Sequence, residues 1–546
     1  MIPLDRMTKL NPFFKLKKEH YLFAVLSGIF VGTSYIPLPA WAIAFCYLPL
    51  WYTALDLDKN NSPLRSIFTA GWITQALLSL IGFNWIYYTA TEFGSLPAPI
   101  AALALILFCS LMHIYIPLAL TLAIYCKRRF KLSATATVFL IALLFSLFER
   151  FWPSIFPWHL GYTLYWMKWP IYQWADTIGF EGLSTLILLF QACLFVILQN
   201  LEKHLIPAFA ALFVLIGVTA ALFITGKSKQ QYWSQFDEQF SAMVVQGNIE
   251  NAEKIASEKG YNYQPAVLRA YIDLAESELV TQPEKPDAFI FPETALPFAL
   301  DTVFATRPNQ QILQRKLQAW NSILITGGYS QDQSRKDHLG NPIVRNSIFF
   351  KGPQGDVSEP YFKTELLVFG EYMPFGKEFP FLYKLLPFVG VYEKGPGPVS
   401  RAVPNIHGKV THIGPQICYE SLDPQFSRGL ALAGSQILVN VTNDSWFGDW
   451  AEPYQHMIMT LARAVEVRRP LIRATNTGIS TAVLANGKIL AQSKMNQDWA
   501  HQFQIQYRTN SELTVFTRWG YLDYLIYLLA TVLILLKGYY VQRKKS

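Results

Sequence analysis

The sequence predicts a polytopic α-helical membrane domain joined to an α/β sandwich domain. Three observations carry this. Of 546 residues, 52% are apolar and 15% aromatic but only 15% charged, too greasy for a soluble multidomain enzyme. Long apolar stretches crowd the first 225 residues, and one more closes the chain. Between them, residues 226–518 switch to short β-rich runs alternating with helix-period segments.

A span needs roughly 20 apolar residues to cross the hydrocarbon. Eight stretches qualify: 20–38, 40–56, 67–90, 98–126, 133–150, 176–199, 205–225 and 519–541. The first two are split only by Ile36-Pro37-Leu38-Pro39. Lys15, Lys17 and Lys18 precede span one without a small-residue cleavage site after it, which reads as a retained signal anchor.

Orientation follows from Lys and Arg in the short loops. Lys9 to Lys18, Lys59 with Arg65, Lys127 to Lys131, Lys203, and Arg543 to Lys545 all fall on one side of eight spans. That side is the cytoplasm, which places 226–518 outside it. The net charge of +8 is then a topological signal, and nucleic acid is not an expected partner, since no basic stripe marks the soluble part.

The domains expected are therefore 1–225, a transmembrane domain of about seven helices; 226–518, an extracytoplasmic domain; and 519–546, a last helix with a basic tail. Within 226–518, strands are expected at Ser241–Gln246, Ala288–Pro292, Ser322–Thr326, Ser347–Lys351, Val410–Ile417, Ile437–Thr442, Leu471–Thr475 and Ile479–Ala485. Helices are expected at 264–280, 308–319 and 454–468, the last with Met457, Leu461, Ala464 and Val465 at helical spacing. The Phe- and Tyr-rich stretch 367–398 reads as long functional loops touching lipid or a greasy substrate.

Of the five cysteines, Cys46, Cys109, Cys126 and Cys193 sit in or beside apolar spans. Cys418 alone lies in the soluble part, so it has no partner there for a disulfide. Composition leaves a buried structural thiol and a reactive one both open.

Three pieces carry chemistry. Glu293 follows the apolar run Ala288–Phe291 in Phe-Pro-Glu-Thr; Lys363 lies in Tyr361-Phe-Lys-Thr-Glu, ahead of Phe369-Gly-Glu371; Cys418 ends a strand in Ile-Cys-Tyr419-Glu420. Singly, these read as a strand-end acid, a surface lysine and a buried thiol. Together they make a working set. A thiol near pKa 8.5 is little ionised at neutral pH and needs a base and a cation. Glu293 is suited to take its proton, Lys363 to favour the thiolate and then an oxyanion, and Glu371 to orient Lys363 or the leaving group.

The order Glu, Lys, Cys in these settings resembles the nitrilase superfamily. Glu149-Arg150-Phe151, Phe156-Pro157-Trp158, Gly161-Tyr162, Ala175-Asp176, Gly182-Leu183-Ser184, Val245-Gln-Gly-Asn-Ile249, Asn443-Asp-Ser-Trp446-Phe-Gly448, Gln455-His456 and Arg473-Ala-Thr-Asn-Thr-Gly478 narrow the resemblance to the apolipoprotein N-acyltransferases, over nearly the whole chain. The resemblance implies an α-β-β-α nitrilase-like sandwich, with Glu293 as base, Lys363 as oxyanion stabiliser, Cys418 as nucleophile and Glu371 as a second essential acid. Tyr419, Glu420 and Trp446 are implied to line or support the site. It further implies a phospholipid acyl donor, a diacylglyceryl apolipoprotein acceptor, a thioester acyl-enzyme, and a monomer in the bacterial inner membrane with its catalytic domain in the periplasm.

Two positions depart from the family pattern: Val368 stands where a proline is usual, and Lys254-Ile255 replaces a Lys-Trp pair. No cofactor is expected, and no metal-type His/Cys/Asp spacing is seen; His456 reads as a packing or capping residue. The alternative function is a membrane-tethered nitrilase-like amidohydrolase. A transporter is disfavoured because the spans lack paired intramembrane ionisable residues.

Overall fold

The computed structural model describes residues 16–201, 204–250, 264–301, 308–386, 389–405 and 408–544. Of the basic residues used for orientation, Lys9, Lys15, Lys203 and Lys545 lie outside these ranges, as do Lys254 and Ile255.

Among the described residues, six helices are long and apolar enough to cross a membrane: Leu64–Gly82, Ala98–Phe130, Ala134–Phe151, Pro170–Asn200, Leu205–Tyr232 and Leu522–Arg543. They answer to six of the eight expected spans. The first two stretches instead form helices of 15 residues (Lys18–Gly32) and 12 residues (Leu48–Lys59), joined by irregular turns. Pro37 and Pro39 explain the break, because each removes an amide donor and disfavours helix at the preceding residue, while Pro49 sits in the first turn of the second helix, where a missing amide is tolerated.

The ends of these helices agree with the charge pattern. Asp58 receives Lys127 Nζ at 2.5 Å and Arg128 Nε at 2.7 Å, so two of the basic loops meet at one end of the bundle. Close packing relies on small residues: a Cβ on Gly71 would stand 2.8 Å from Pro117 Cα.

Among the described residues, twelve strands form two six-stranded sheets. The first has the order β12-β1-β2-β3-β4-β5, with β1 Glu238–Gln246, β2 Ala288–Ala299, β3 Ile323–Lys336, β4 Pro342–Gly352, β5 Gly355–Phe362 and β12 Trp499–Tyr507. The second has the order β11-β10-β9-β8-β7-β6, with β6 Arg401–Pro404, β7 Val410–Ile417, β8 Ile437–Thr442, β9 Leu471–Thr475, β10 Thr481–Val483 and β11 Ile489–Gln492. Strands β1-β2-β3 and β7-β8-β9 are parallel.

The period of two sorts each strand between two cores. Phe240, Ala242 and Val244 of β1, Ile290 of β2 and Ile325 of β3 belong to the core that also holds Ile413, Val439 and Ile472 of the second sheet. Their neighbours Met243, Phe289 and Leu324 face the other way, onto Leu268, Ile272, Leu313 and Leu317 of the helices Gln264–Leu279 and Pro308–Trp320. The helices Pro424–Leu432 and Glu452–Val467 pack against the second sheet. The result is an α-β-β-α sandwich, and its strands read as continuous apolar runs because both faces are buried.

Helix Glu452–Val467 also seats the sandwich on the membrane helices. Gln455 Nε2 donates to the carbonyls of Ile36 and Gly82 at 2.9 Å each, and Trp85 Nε1 donates to Gln455 Oε1. Arg463 Nη2 donates to Tyr162 Oη at 2.7 Å, and Phe180 N donates to Glu466 Oε1. Just beyond the helix, Arg468 donates to Asp176 Oδ2 at 2.8 Å.

Candidate active site

The carboxyl ends of parallel strands open where the chain turns away from the sheet, and catalytic side chains gather there. Glu293 lies where β2 loses register with β3, between Phe291 and Leu296. Lys363 directly follows β5, and Cys418 directly follows β7. These three expected residues converge, with Glu371 beside them.

Lys363 Nζ lies 3.3 Å from Glu293 Oε1 and 2.8 Å from Glu371 Oε2. Asn346 on β4 donates Nδ2 to Glu293 at 2.7 Å and to Glu371 at 2.8 Å, so one amide ties both carboxylates. Leu367 N also donates to Glu371. All four side chains are buried. Burial opposes the charge on Lys363, but Glu293 and Glu371 outweigh it and hold the ammonium well above the ordinary lysine value. Glu371 thus reaches the site from the loop carrying Val368, which bridges to Tyr372.

Gly327 of β3 makes this approach possible. A Cβ there would stand 2.5 Å from Pro292 O and 2.6 Å from Glu293 Cα.

Cys418 begins a short 3-10 turn, Cys418–Leu422, with φ +50°. A left-handed conformation at a residue with a side chain costs about 1–3 kcal/mol and persists only where the surroundings fix it. Such an elbow lifts a nucleophile off the end of a strand. Burial raises the Cys418 thiol, with Glu293 adding to the effect; Lys363 and the Thr442 hydroxyl pull it down. The resting thiol is therefore protonated, with a carboxylate and a cation at hand.

Glu420 is fully buried. Its Oε1 accepts from Tyr361 Oη at 2.5 Å, Thr364 N at 2.5 Å and Glu365 N at 3.2 Å; its Oε2 accepts from Ile417 N at 2.7 Å. One carboxyl thereby pins the chain after Lys363 to the chain before Cys418. Burial lifts Glu420 to about 7, against the lowering effect of its donors. Tyr419 is half-buried and donates to the carbonyl of Ile155, in the loop after Ala134–Phe151. Trp446 is half-buried in the turn after Asp444, and its neighbour Phe447 packs edge-on against Trp85 at 5.6 Å.

Sequence reasoning missed Asn346 and the group around Asp444. Asp444 Oδ2 takes Arg473 Nη2 at 2.6 Å, and Oδ1 pairs with His456 Nδ1 at 3.0 Å. Asp444, Glu452 and His456 place one ligand atom each within 4.8 Å of one another, a convergence the linear spacing hid. The guanidinium already sits on the anionic oxygen. Burial would raise Asp444, but Arg473 and then His456 bring it down to about 2. Burial, then Arg473, keeps His456 below its ordinary value, and burial beside Asp444 keeps Glu452 well above. The Arg473 guanidinium thus holds one anionic oxygen, and burial disfavours charge on both His456 and Glu452, which suits a hydrogen-bonded support better than a metal centre. Asn346 carries no motif of its own; Asp444 and Arg473 lie in runs that the resemblance had marked without assigning them a task.

Fold and site together define a membrane-embedded protein carrying a carbon-nitrogen hydrolase domain. Residues 239–507 match the family model described as carbon-nitrogen hydrolase, and residues 27–193 match that of the apolipoprotein N-acyltransferase N-terminal domain. The chain is 48% identical over 527 residues to the apolipoprotein N-acyltransferase of Bdellovibrio bacteriovorus, covering 96% of this chain and 95% of that one. It is 31% identical over 508 residues to that of Geobacter metallireducens, covering 90% of each. Among solved structures, a branch 10 nitrilase-superfamily member from Saccharomyces cerevisiae aligns at TM-score 0.36 and 15% identity, over 50% of this chain and 91% of that one.

The chain belongs to the apolipoprotein N-acyltransferase family. It is an integral membrane acyltransferase of lipoprotein N-acylation.

Proposed function

We propose that the protein transfers an acyl chain from a phospholipid to the α-amine of a diacylglyceryl-cysteine apolipoprotein through a thioester on Cys418. The observation that carries this is the convergence of a buried lysine, two carboxylates and a thiol on a left-handed elbow. Glu293 takes the thiol proton as Sγ attacks the ester carbonyl; Lys363 stabilises the oxyanion; the proton then goes to the departing lysophospholipid oxygen. In the second half, the amine attacks the thioester, Glu293 takes its proton, and the thiol is restored. Glu371 and Asn346 hold Lys363 and Glu293 in place, and Glu420 fixes the two backbone segments that carry Lys363 and Cys418.

Two bulky amphipathic substrates need not share the pocket if they react in turn, which supports the two-step order. The 367–398 loops expose Phe369, Phe375, Phe379 and Phe381, a surface that favours lipid and excludes water from a thioester. The orientation reading puts 226–518 on the periplasmic face of the inner membrane. The short first helix pair changes the count of crossings by two or by none, so the side is the same either way. A monomer suffices, since every residue invoked comes from one chain.

The test is mass spectrometry after incubation with phospholipid and no acceptor. One acyl mass, labile to hydroxylamine and absent in Cys418→Ala, is expected with a single burst of lysophospholipid; a diacylglyceryl-cysteine peptide should discharge it. Lysophospholipid that forms only when both substrates are present rules out the two-step route. Steady release of free fatty acid without acceptor would favour the hydrolase.

A further inference from the structure

Beneath the elbow lies a buried polar system that the proposed reaction does not use directly. Arg473 of β9 is fully buried and spreads its guanidinium over three acceptors: Asp444 Oδ2 at 2.6 Å, Asn440 Oδ1 at 3.0 Å and Thr460 Oγ1 at 3.1 Å. From the last two, hydrogen bonds run on to one atom. Asn440 donates Nδ2 to the carbonyl oxygen of Cys418 at 3.4 Å. Thr460 and Ser421 share a hydrogen bond of 2.7 Å, and Ser421 Oγ donates to the same Cys418 carbonyl at 2.9 Å.

The direction of each bond is forced. The Cys418 carbonyl can only accept, so it takes the single proton of Ser421; Thr460 must then supply the proton of the 2.7 Å bond, while its oxygen accepts from Arg473. The amide of Asn440 is oriented in the same way, with oxygen toward the guanidinium and nitrogen toward Cys418. Two chains of donors start on one cation and end on one carbonyl. Hydrogen bonds in series polarise one another, most strongly where the dielectric is low.

We infer that Arg473 is a positioning residue for the nucleophile: through Asn440 on one path and Thr460 with Ser421 on the other, it holds the Cys418 carbonyl and so keeps the elbow left-handed and the thiol aimed at Lys363 and Glu293. Asp444, paired with His456, holds the guanidinium at its other terminal nitrogen. The inference rests on the reading of Cys418 as nucleophile. It explains why a fully buried cation sits on β9 within two hydrogen bonds of the elbow carbonyl.

The two-path layout gives a test that separates positioning from general stability. The readout is the rate at which iodoacetamide alkylates Cys418 in the full-length detergent-purified protein, followed by intact mass, with Cys418→Ala marking the background from the four other cysteines. Thr460→Val keeps the side-chain shape and removes only the hydroxyl. It and Ser421→Ala interrupt the same path, so each should slow alkylation about five- to tenfold, the worth of one buried hydrogen bond, and the double variant should be no slower than either single. Thr460→Ser should restore most of the rate. Arg473→Lys, which cannot span both paths, should be slower than any of these. The optimum of the alkylation pH profile should move up in Thr460→Val, because a mis-aimed thiol loses the help of Lys363.

No lipid enters the assay, so a failure of the acyl-transfer reading leaves the outcome intact. Rates within twofold of wild type while the thermal midpoint falls would make Arg473 purely structural and overturn the proposal. Multiplicative losses in the double variant, or an unreactive wild-type Cys418, would overturn it too.

Discussion

Replacing Glu420 by Gln tests whether this carboxyl is a wall of the pocket or the clamp between the two halves of the site. The carboxyl accepts four hydrogen bonds, three on Oε1 and one on Oε2. Gln in the same place keeps one acceptor. Its oxygen satisfies the three donors at Tyr361, Thr364 and Glu365, which sets its NH2 against the amide of Ile417. A buried donor left unpaired costs about 1–3 kcal/mol, and a like-dipole contact adds to it. Because Ile417 precedes Cys418, the first half-reaction should slow by roughly 10- to 100-fold, the rate equivalent of that loss. Acylation should not vanish.

The pH dependence of the same variant has a fixed sign. Glu420 ionises at about 7 in the folded protein against 4.5 ordinarily, so the native state holds a proton that the unfolded chain has released. Its contribution to stability is fully present below pH 4.5 and is lost as pH rises through 7, by an amount on the order of 3 kcal/mol. Gln has no such dependence. The stability gap between wild type and Glu420→Gln should therefore narrow from pH 4.5 to pH 7.5. Thermal midpoints in one detergent at several pH values, with burst rates of lysophospholipid at neutral pH, check both parts. A gap that widens with pH, or a burst rate equal to wild type, refutes the reasoning.

Three further outcomes are expected. Glu293→Gln should lower the acylation rate by about 10²–10⁴ without unfolding the protein, as loss of a general base does; single-turnover lysophospholipid release measures it, and a loss under tenfold would remove Glu293 from that role. Gly327→Ala should destabilise by about 1–3 kcal/mol, because its new Cβ meets the backbone of Pro292 and Glu293; an unchanged thermal midpoint would contradict the close approach. A reporter enzyme inserted near residue 300 should be active only if it works outside the cytoplasm, and cytoplasmic activity there would reverse the orientation.

The sequence by itself determined the architecture and the chemical set. Apolar length marked the six long spanning helices among the described residues, and short apolar β-rich runs marked the strands buried on both faces. The motifs around Glu293, Lys363 and Cys418 identified the family, because residues at strand ends stay readable in linear order. Strands β5, β6, β11 and β12 were not anticipated. They are edge or near-edge strands with polar, exposed positions, such as the run from Gly355 to Tyr361, and pairing rather than local pattern makes them strands.

Only the tertiary structure decided how the set is held. Asn346 meets Glu293 across 53 positions and Glu371 across 25; Glu420 meets Thr364 across 56; Arg473 meets Asn440 across 33. None of these distances is a period of helix or strand. An isolated Asn, Glu or Arg in the chain is equally at home on a solvated surface, and only the closing of two sheets removes water from it and forces each donor to find its acceptor. The same closure gave Glu420 its partners on both sides, Thr364 and Glu365 on one and Ile417 on the other. Within one 3-10 turn, Tyr419 reaches the membrane half at Ile155 while Glu420 turns into the protein.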